Sequence, residues 1–282
     1  MSVTETTKPA LIDAALLHAR YGADAVPAAG ELNDVLRCLL AHRTVRAYLP
    51  DALPPGTFET LVSAAQSAAS SSNLQLWSVI AVEDAGRKAR LAQVAGGQAQ
   101  IEQAPLLLVW LADLARADRV AAARGRTLEG CAYLEFFMVA AIDAALAAQN
   151  AAVAAEAMGL GTCYVGALRN DPERVAAELG LPPRTMAVFG MSVGREDPAR
   201  TTEIKPRLPQ PLLAFRERYA APQAEAELVA SYDETLAAFS RSQGMGDVNW
   251  TSRVFARMGS LKGMSGRDRM RSMLKALGFE LR

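Results

Sequence analysis

The segment from Phe136 to Met158 limits the possible folds more than any other part of the chain, because alanine and other small or apolar residues occupy every side of it. A helix that is apolar all round must be covered all round. In a chain of 282 residues there are two ways to cover it, a central place in a core or a place at a subunit interface; both together are expected, with a simple core helix in a monomer as the alternative. The buried area such a helix requires is the same whoever supplies it. The run Gly159-Leu160-Gly161 ends the helix, since glycine enters the positive-φ region without steric strain.

Around this segment the pattern alternates. Trp77 to Val82, Leu106 to Ala112 and Met186 to Val193 are short runs rich in branched or aromatic residues and read as buried strands, with Thr162 to Leu168 as a fourth. Leu11 to Arg20 and Leu32 to Leu40 have helical period, and Thr57, after Pro54-Pro55-Gly56, is placed to cap a helix carrying Leu61, Val62 and Ala65. Strands interleaved with helices predict a layered mixed α/β or α+β domain rather than a bundle or sandwich. The link Gly22 to Gly30, rich in glycine, alanine and proline, sets residues 1–30 apart as a helical appendage, with the main body running from Glu31 to Arg282.

Composition narrows the function classes. Thirty basic residues balance thirty acidic ones, so no global field attracts nucleic acid or an anionic membrane, and any anion site must be local. Three cysteines without CxxC spacing and two histidines support neither a disulfide framework nor a zinc centre. The first residues lack a basic start followed by an apolar block, and no later apolar run has the length of a membrane span without polar interruption, so the expected location is the cytoplasm.

Two basic groups stand out. In Ile204-Lys205-Pro206-Arg207-Leu208-Pro209, proline fixes φ, and extended backbone turns Lys205 and Arg207 to the same side as a rigid dication. His42-Arg43-Thr44-Val45-Arg46 lies far away in sequence, and a fold that joined the two would have a pocket for a doubly charged phosphate. Taken singly, each reads as readily as a solvated surface patch.

These groups belong to a longer series: the run Ser70-Ser71-Ser72-Asn73-Leu74-Gln75, then Gly96-Gly97-Gln98, then Ala148-Gln149-Asn150 through Gly159 to Asn170, and finally the segment from Lys205 to Pro209. Their order, over about Glu31 to Arg282, resembles that of the oxygen-insensitive nitroreductases and NADPH-flavin oxidoreductases of the nitroreductase superfamily. The resemblance implies an α+β fold with a central mixed, mainly antiparallel sheet flanked by helices, a long buried central helix and an extended C-terminal excursion over residues 211–282. It further implies a homodimer with FMN at the interface.

By the same resemblance His42, Arg43, Lys205 and Arg207 suit the FMN phosphate, while Thr44 and Arg46 lie on one side of an extended segment, from which Arg46 could reach the ribityl chain or pyrimidine edge. Ser70, Ser71, Ser72 and Asn73 offer small donors and acceptors for the ribityl hydroxyls and phosphate, although a bare serine run also reads as a simple turn. Gln75 and Gln98 can each donate and accept along the flavin's carbonyl and imide edge. Tyr164, Val165, Gly166 and Ala167 resemble the segment beside the isoalloxazine, with Gly166 letting a backbone N–H approach flavin N5, and Ala167 standing where many relatives have a second glycine.

The implied reaction needs no catalytic acid or base from the protein. A reduced nicotinamide passes hydride to flavin N5 and leaves, and a nitroaromatic, quinone, free flavin or similar small acceptor then takes electrons in pairs. Arg241 matches the family loop that holds the 2′-phosphate of NADPH, but Gly246 and Asp247 replace further arginines there, a loss worth about 1.5 to 3 kcal/mol per charge-assisted bond. NADPH ranks narrowly ahead of NADH. The same FMN fold could serve a specialised biosynthetic dehydrogenase or reductase, and the remaining reading is a non-enzymatic protein that binds an anion. Cys163, in a predicted strand, reads as an inert small hydrophobe in preference to a redox thiol.

Overall fold

The computed structural model describes residues 7–28 and 30–282, so residues 1–6 and 29 of the expected appendage lie outside the described residues. Its helices are α1 (Thr7–Tyr21), α2 (Asp34–Leu40), α3 (Thr57–Gln66), α4 (Ala85–Val94), α5 (Ala99–Gln103), α6 (Ala115–Ala122), α7 (Leu134–Ala157), α8 (Pro172–Leu179), α9 (Glu225–Ser242), α10 (Trp250–Met258) and α11 (Met270–Ala276). The strands are β1 (Trp77–Val82), β2 (Leu106–Asp113), β3 (Gly161–Val165) and β4 (Thr185–Gly194). They fall into two units. The first ends at Arg43 and resumes over Thr202–Gly263; the second comprises Thr44–Thr201 and Met264–Arg282.

The second unit is built on a four-stranded antiparallel sheet of order β1-β2-β4-β3. A parallel bridge joins Thr44 to Thr162. Every residue of β2 is buried, so its apolar run is continuous rather than alternating. Side-chain alternation then sends Leu106, Leu108 and Trp110 into one cluster with Leu61 of α3 and the alanines of α7, and Leu107, Val109 and Leu111 into another with Leu91 of α4, Ile101 of α5 and Val175 of α8. The result is a sheet with helices on both faces, the α+β architecture.

Seven of the eight buried residues of α7 are alanine, which lets this helix lie close against the sheet; the eighth is Asp143. By length and composition α7 could cross a membrane. It instead packs Ala147, Ala148, Ala151, Ala152 and Ala155 against Trp110, Met191 and Val193. Its outer side stays open within this chain: Leu134, Met138, Ile142 and Leu146, four residues apart, are 46%, 48%, 52% and 42% exposed. The helix is therefore covered on one side only by its own chain.

Several boundaries differ from the sequence reading for local reasons. Gly56, at φ 80°, caps α3, and Thr57 is its first residue, with its hydroxyl donating to the Pro54 carbonyl at 2.7 Å. β3 stops at Val165 because a 3₁₀ turn begins at Gly166 and runs to Asn170. The first unit contains α1, α2, α9 and α10, so the division of the chain falls at Arg43 rather than Gly30.

Candidate functional site

In the first unit the two basic segments are tied to one side chain that the sequence reading did not single out. Arg20, in the last turn of α1, is only 5% exposed. Its guanidinium donates to the carbonyls of Leu40 at 2.7 Å, His42 at 2.8 Å and Lys205 at 2.8 Å, and its own carbonyl accepts from the Arg207 amide at 2.8 Å. Helix α2 ends at Leu40, so the first of these acceptors is one of the carbonyls a helix end leaves over. Arg43 adds a second tie by donating to the Thr202 carbonyl at 2.8 Å.

Within the basic segment Pro206 is buried between half-buried Lys205 and exposed Arg207, the alternation expected of extended chain. The two cations have different surroundings all the same. The Lys205 ammonium lies 5.8 Å from the centre of the Phe239 ring, and Arg207 folds back to donate to the carbonyls of Lys205 at 3.1 Å and Pro206 at 3.4 Å. Buried Tyr232 donates to the Pro206 carbonyl at 3.0 Å. Burial pushes that phenol's pKa up, and Arg207 is near enough to pull it partly back. Arg43, His18, Ile204, Pro206 and Phe239 line a cavity of about 550 Å³ in this unit.

Arg241, expected to meet a nucleotide phosphate, is ion-paired with Asp247, and both are exposed, at 58% and 76% of the side chain. The loop between α9 and α10 is closed by Ser240, which donates to the Val248 carbonyl at 2.6 Å, and Asn249 caps α10 by accepting from the Ser252 amide at 2.8 Å.

In the second unit, the serine loop is organised from below. The Asp143 carboxylate, 1% exposed, accepts from the Ser70 hydroxyl at 2.8 Å, the Ser71 amide at 3.1 Å and the Leu76 amide at 3.0 Å. The Ser70 hydroxyl accepts in turn from the Gln75 amide at 2.8 Å, so it holds the loop. Ser72, Asn73 and Gln75 have φ of 49°, 54° and 51°, strained for residues with side chains. All three are exposed, as is Ser71. Arg116 donates to the Gln75 carbonyl, and to that of Trp77 at 2.8 Å, at the loop's exit.

The other expected residues of this unit lie as follows. Thr44 is half-buried at its bridge to Thr162, Val45 is buried, and Arg46 is exposed. The bare Cα of Gly161 seats Val45: a Cβ there would come within 2.5 Å of the valine methyl, so glycine fixes this segment on β3. Gln98 is engaged locally, its amide nitrogen donating to the Ala95 carbonyl at 3.1 Å and its oxygen accepting from Gln100 at 2.6 Å. Tyr164 donates to the Gln149 side chain at 3.3 Å and packs edge-on to Phe189, Val165 is buried, and Gly166 and Ala167 are half-buried. A Cβ on Gly166 would lie 3.2 Å from the Arg169 guanidinium, so this glycine also makes room for an arginine of its own chain.

The model of the nitroreductase family matches residues 39–195, and that of the nitroreductase family C-terminal domain matches residues 205–282. The chain belongs to the nitroreductase family. It is 35% identical over 227 residues to an FMN reductase (NADPH) of Bacillus subtilis, spanning 79% of this chain and 90% of that one. Among solved structures it is similar to the hypothetical oxidoreductase YcnD of Bacillus subtilis, with a TM-score of 0.83 and 31% identity over 89% of this chain and all of the other. It also resembles the NADPH:FMN oxidoreductase of Vibrio harveyi complexed with NAD⁺, with a TM-score of 0.77 and 31% identity over 89% of this chain and 100% of that chain. The nitroreductase fold of these relatives is the α+β architecture described above.

Proposed function

We infer that this chain is an FMN-dependent NAD(P)H oxidoreductase of the nitroreductase type, in which the first unit's cations hold the FMN phosphate. The observation that carries the assignment is the meeting, on the Arg20 guanidinium, of two basic segments remote in sequence. The donor set fits the group: His42, Arg43, Lys205 and Arg207 together supply the positive charge and N–H donors that a phosphate monoester needs outside bulk water. Ser71, Ser72, Asn73 and Gln75 present exposed polar groups on a loop whose strain is sustained by Asp143, and we assign them to ribityl and ring polar atoms. Ser70 is the loop's brace, and Arg46 is assigned to the pyrimidine edge.

When bound, FMN supplies two-electron hydride chemistry between a reduced nicotinamide and a small acceptor such as a nitroaromatic, quinone or flavin. The protein's own part is to bind, orient and exclude water, with Tyr164, Val165, Gly166, Ala167 and Gln98 assigned to the ring. We assign the nicotinamide nucleotide's phosphate to Arg241 with NADPH as the first-ranked donor, although the Asp247 partner competes for that guanidinium. A second copy of the chain covers the exposed stripe Leu134, Met138, Ile142 and Leu146 in a homodimer, since four aliphatic tips on one helix face gain by leaving water. A cytoplasmic location belongs to the same proposal.

The test is the visible spectrum of the purified protein before and after anaerobic NADPH. A yellow protein that bleaches is expected. A colourless protein whose melting temperature does not rise with added FMN would defeat the assignment, because a ligand that binds the folded state alone must stabilise it.

A further inference from the structure

Burying a guanidinium is unfavourable unless its donors find partners, so a buried arginine is held by what it touches. Arg20 touches backbone from two separate places: the exit of α2 at Leu40 and His42, and the extended segment at Lys205. The Arg207 amide returns a bond to the Arg20 carbonyl. The residues bonded to Arg20, or next to one that is, include all four cations assigned to the phosphate. The fork of N–H groups suits the task, since a planar guanidinium can serve several carbonyls in fixed directions where an ammonium is a single point. Helix α1 ends at Tyr21 and the family match begins at residue 39, so this support comes from a part of the chain outside that match.

We propose that Arg20 is a positioning residue for the phosphate cradle, through which the N-terminal helix sets the affinity for FMN. This rests on the assignment of His42, Arg43, Lys205 and Arg207 to the phosphate. Arg20 does not touch the ligand; it fixes the spacing between the two strips of backbone that carry those cations. Its loss therefore weakens the interaction with the phosphate and leaves that with the ring and ribityl chain.

The experiment is a titration of the full-length chain, stripped of flavin, with FMN and in parallel with riboflavin, which lacks the phosphate. Arg20→Ala is expected to raise the Kd for FMN by about tenfold to a hundredfold and to change that for riboflavin by less than about twofold. Arg20→Lys, which keeps the charge and loses the fork, should fall between. An unchanged FMN affinity, or equal weakening of both ligands, overturns the inference. Should Arg20→Ala fail to fold, Arg20→Lys carries the same comparison, and a ratio of FMN to riboflavin affinity equal to the wild type's then overturns it. Arg207→Ala separates this inference from the assignment beneath it. If that variant narrows the ratio while the Arg20 variants do not, Arg20 has no positioning role and the phosphate assignment stands. If Arg207→Ala also leaves the ratio intact, the phosphate assignment itself falls.

Discussion

The basic segments of the first unit and the serine loop of the second are both held by a buried charge, but of opposite sign. Arg20 collects carbonyls, while Asp143 collects two amides and a hydroxyl. The sign follows from which backbone groups are left over. The exit of α2 and the extended segment at Lys205 bring carbonyls that need a donor; the tight loop bounded by Ser71 and Leu76 brings their two N–H groups, which need an acceptor. The two braces also differ in origin. Asp143 sits on α7, inside the family match, and Arg20 on a helix before it.

Removing Asp143 should have the largest effect of any single change to these braces. Asp143→Ala leaves two amides and a hydroxyl without their acceptor, and we expect a loss of about 3 to 5 kcal/mol in urea unfolding, with Asp143→Asn recovering part of it. A loss below about 1 kcal/mol would mean that the strained loop stands without its carboxylate, and the parallel with Arg20 would fail. Tyr232→Phe probes the other region by deleting the hydroxyl that holds the Pro206 carbonyl. About 0.5 to 1.5 kcal/mol should be lost in the same assay while FMN stays bound, because Arg20 still holds the flanking residues. Flavin release from this variant would show that Tyr232, not Arg20, is the main support.

The smallest effect is expected at Asp247, whose pair with Arg241 is exposed and unbraced. Asp247→Asn should change stability by less than about 0.5 kcal/mol, yet raise the ratio of initial rates with NADPH over NADH by freeing the guanidinium. An unaltered ratio would remove Arg241 from nucleotide selection.

Much of the fold could be read from the chain. The run Trp77 to Val82 and the helix that stops just before Gly159 lie where their residues suggest, because apolar patterning and glycine act locally. The helix Leu11 to Arg20 was likewise legible, whereas the closing of the two basic segments depends on contacts remote in sequence. Arg20 looks like any charged residue on an amphipathic helix, and its partners are backbone carbonyls, which carry no sequence signal. Asp143 did leave one: a carboxylate midway along an alanine-rich helix, away from the acids Glu135 and Glu156 near its two ends, has to be satisfied by something. Ser70 and Gln98 stand out in the sequence by their polar groups, and both spend them on their own chain.

An artificial start at Glu31 would preserve every side chain assigned to the flavin and discard the strut behind the phosphate end. Such a shortened protein would contain the full recognisable motif set and still hold its prosthetic group loosely, so motif completeness alone is a poor guide to where this polypeptide can be cut.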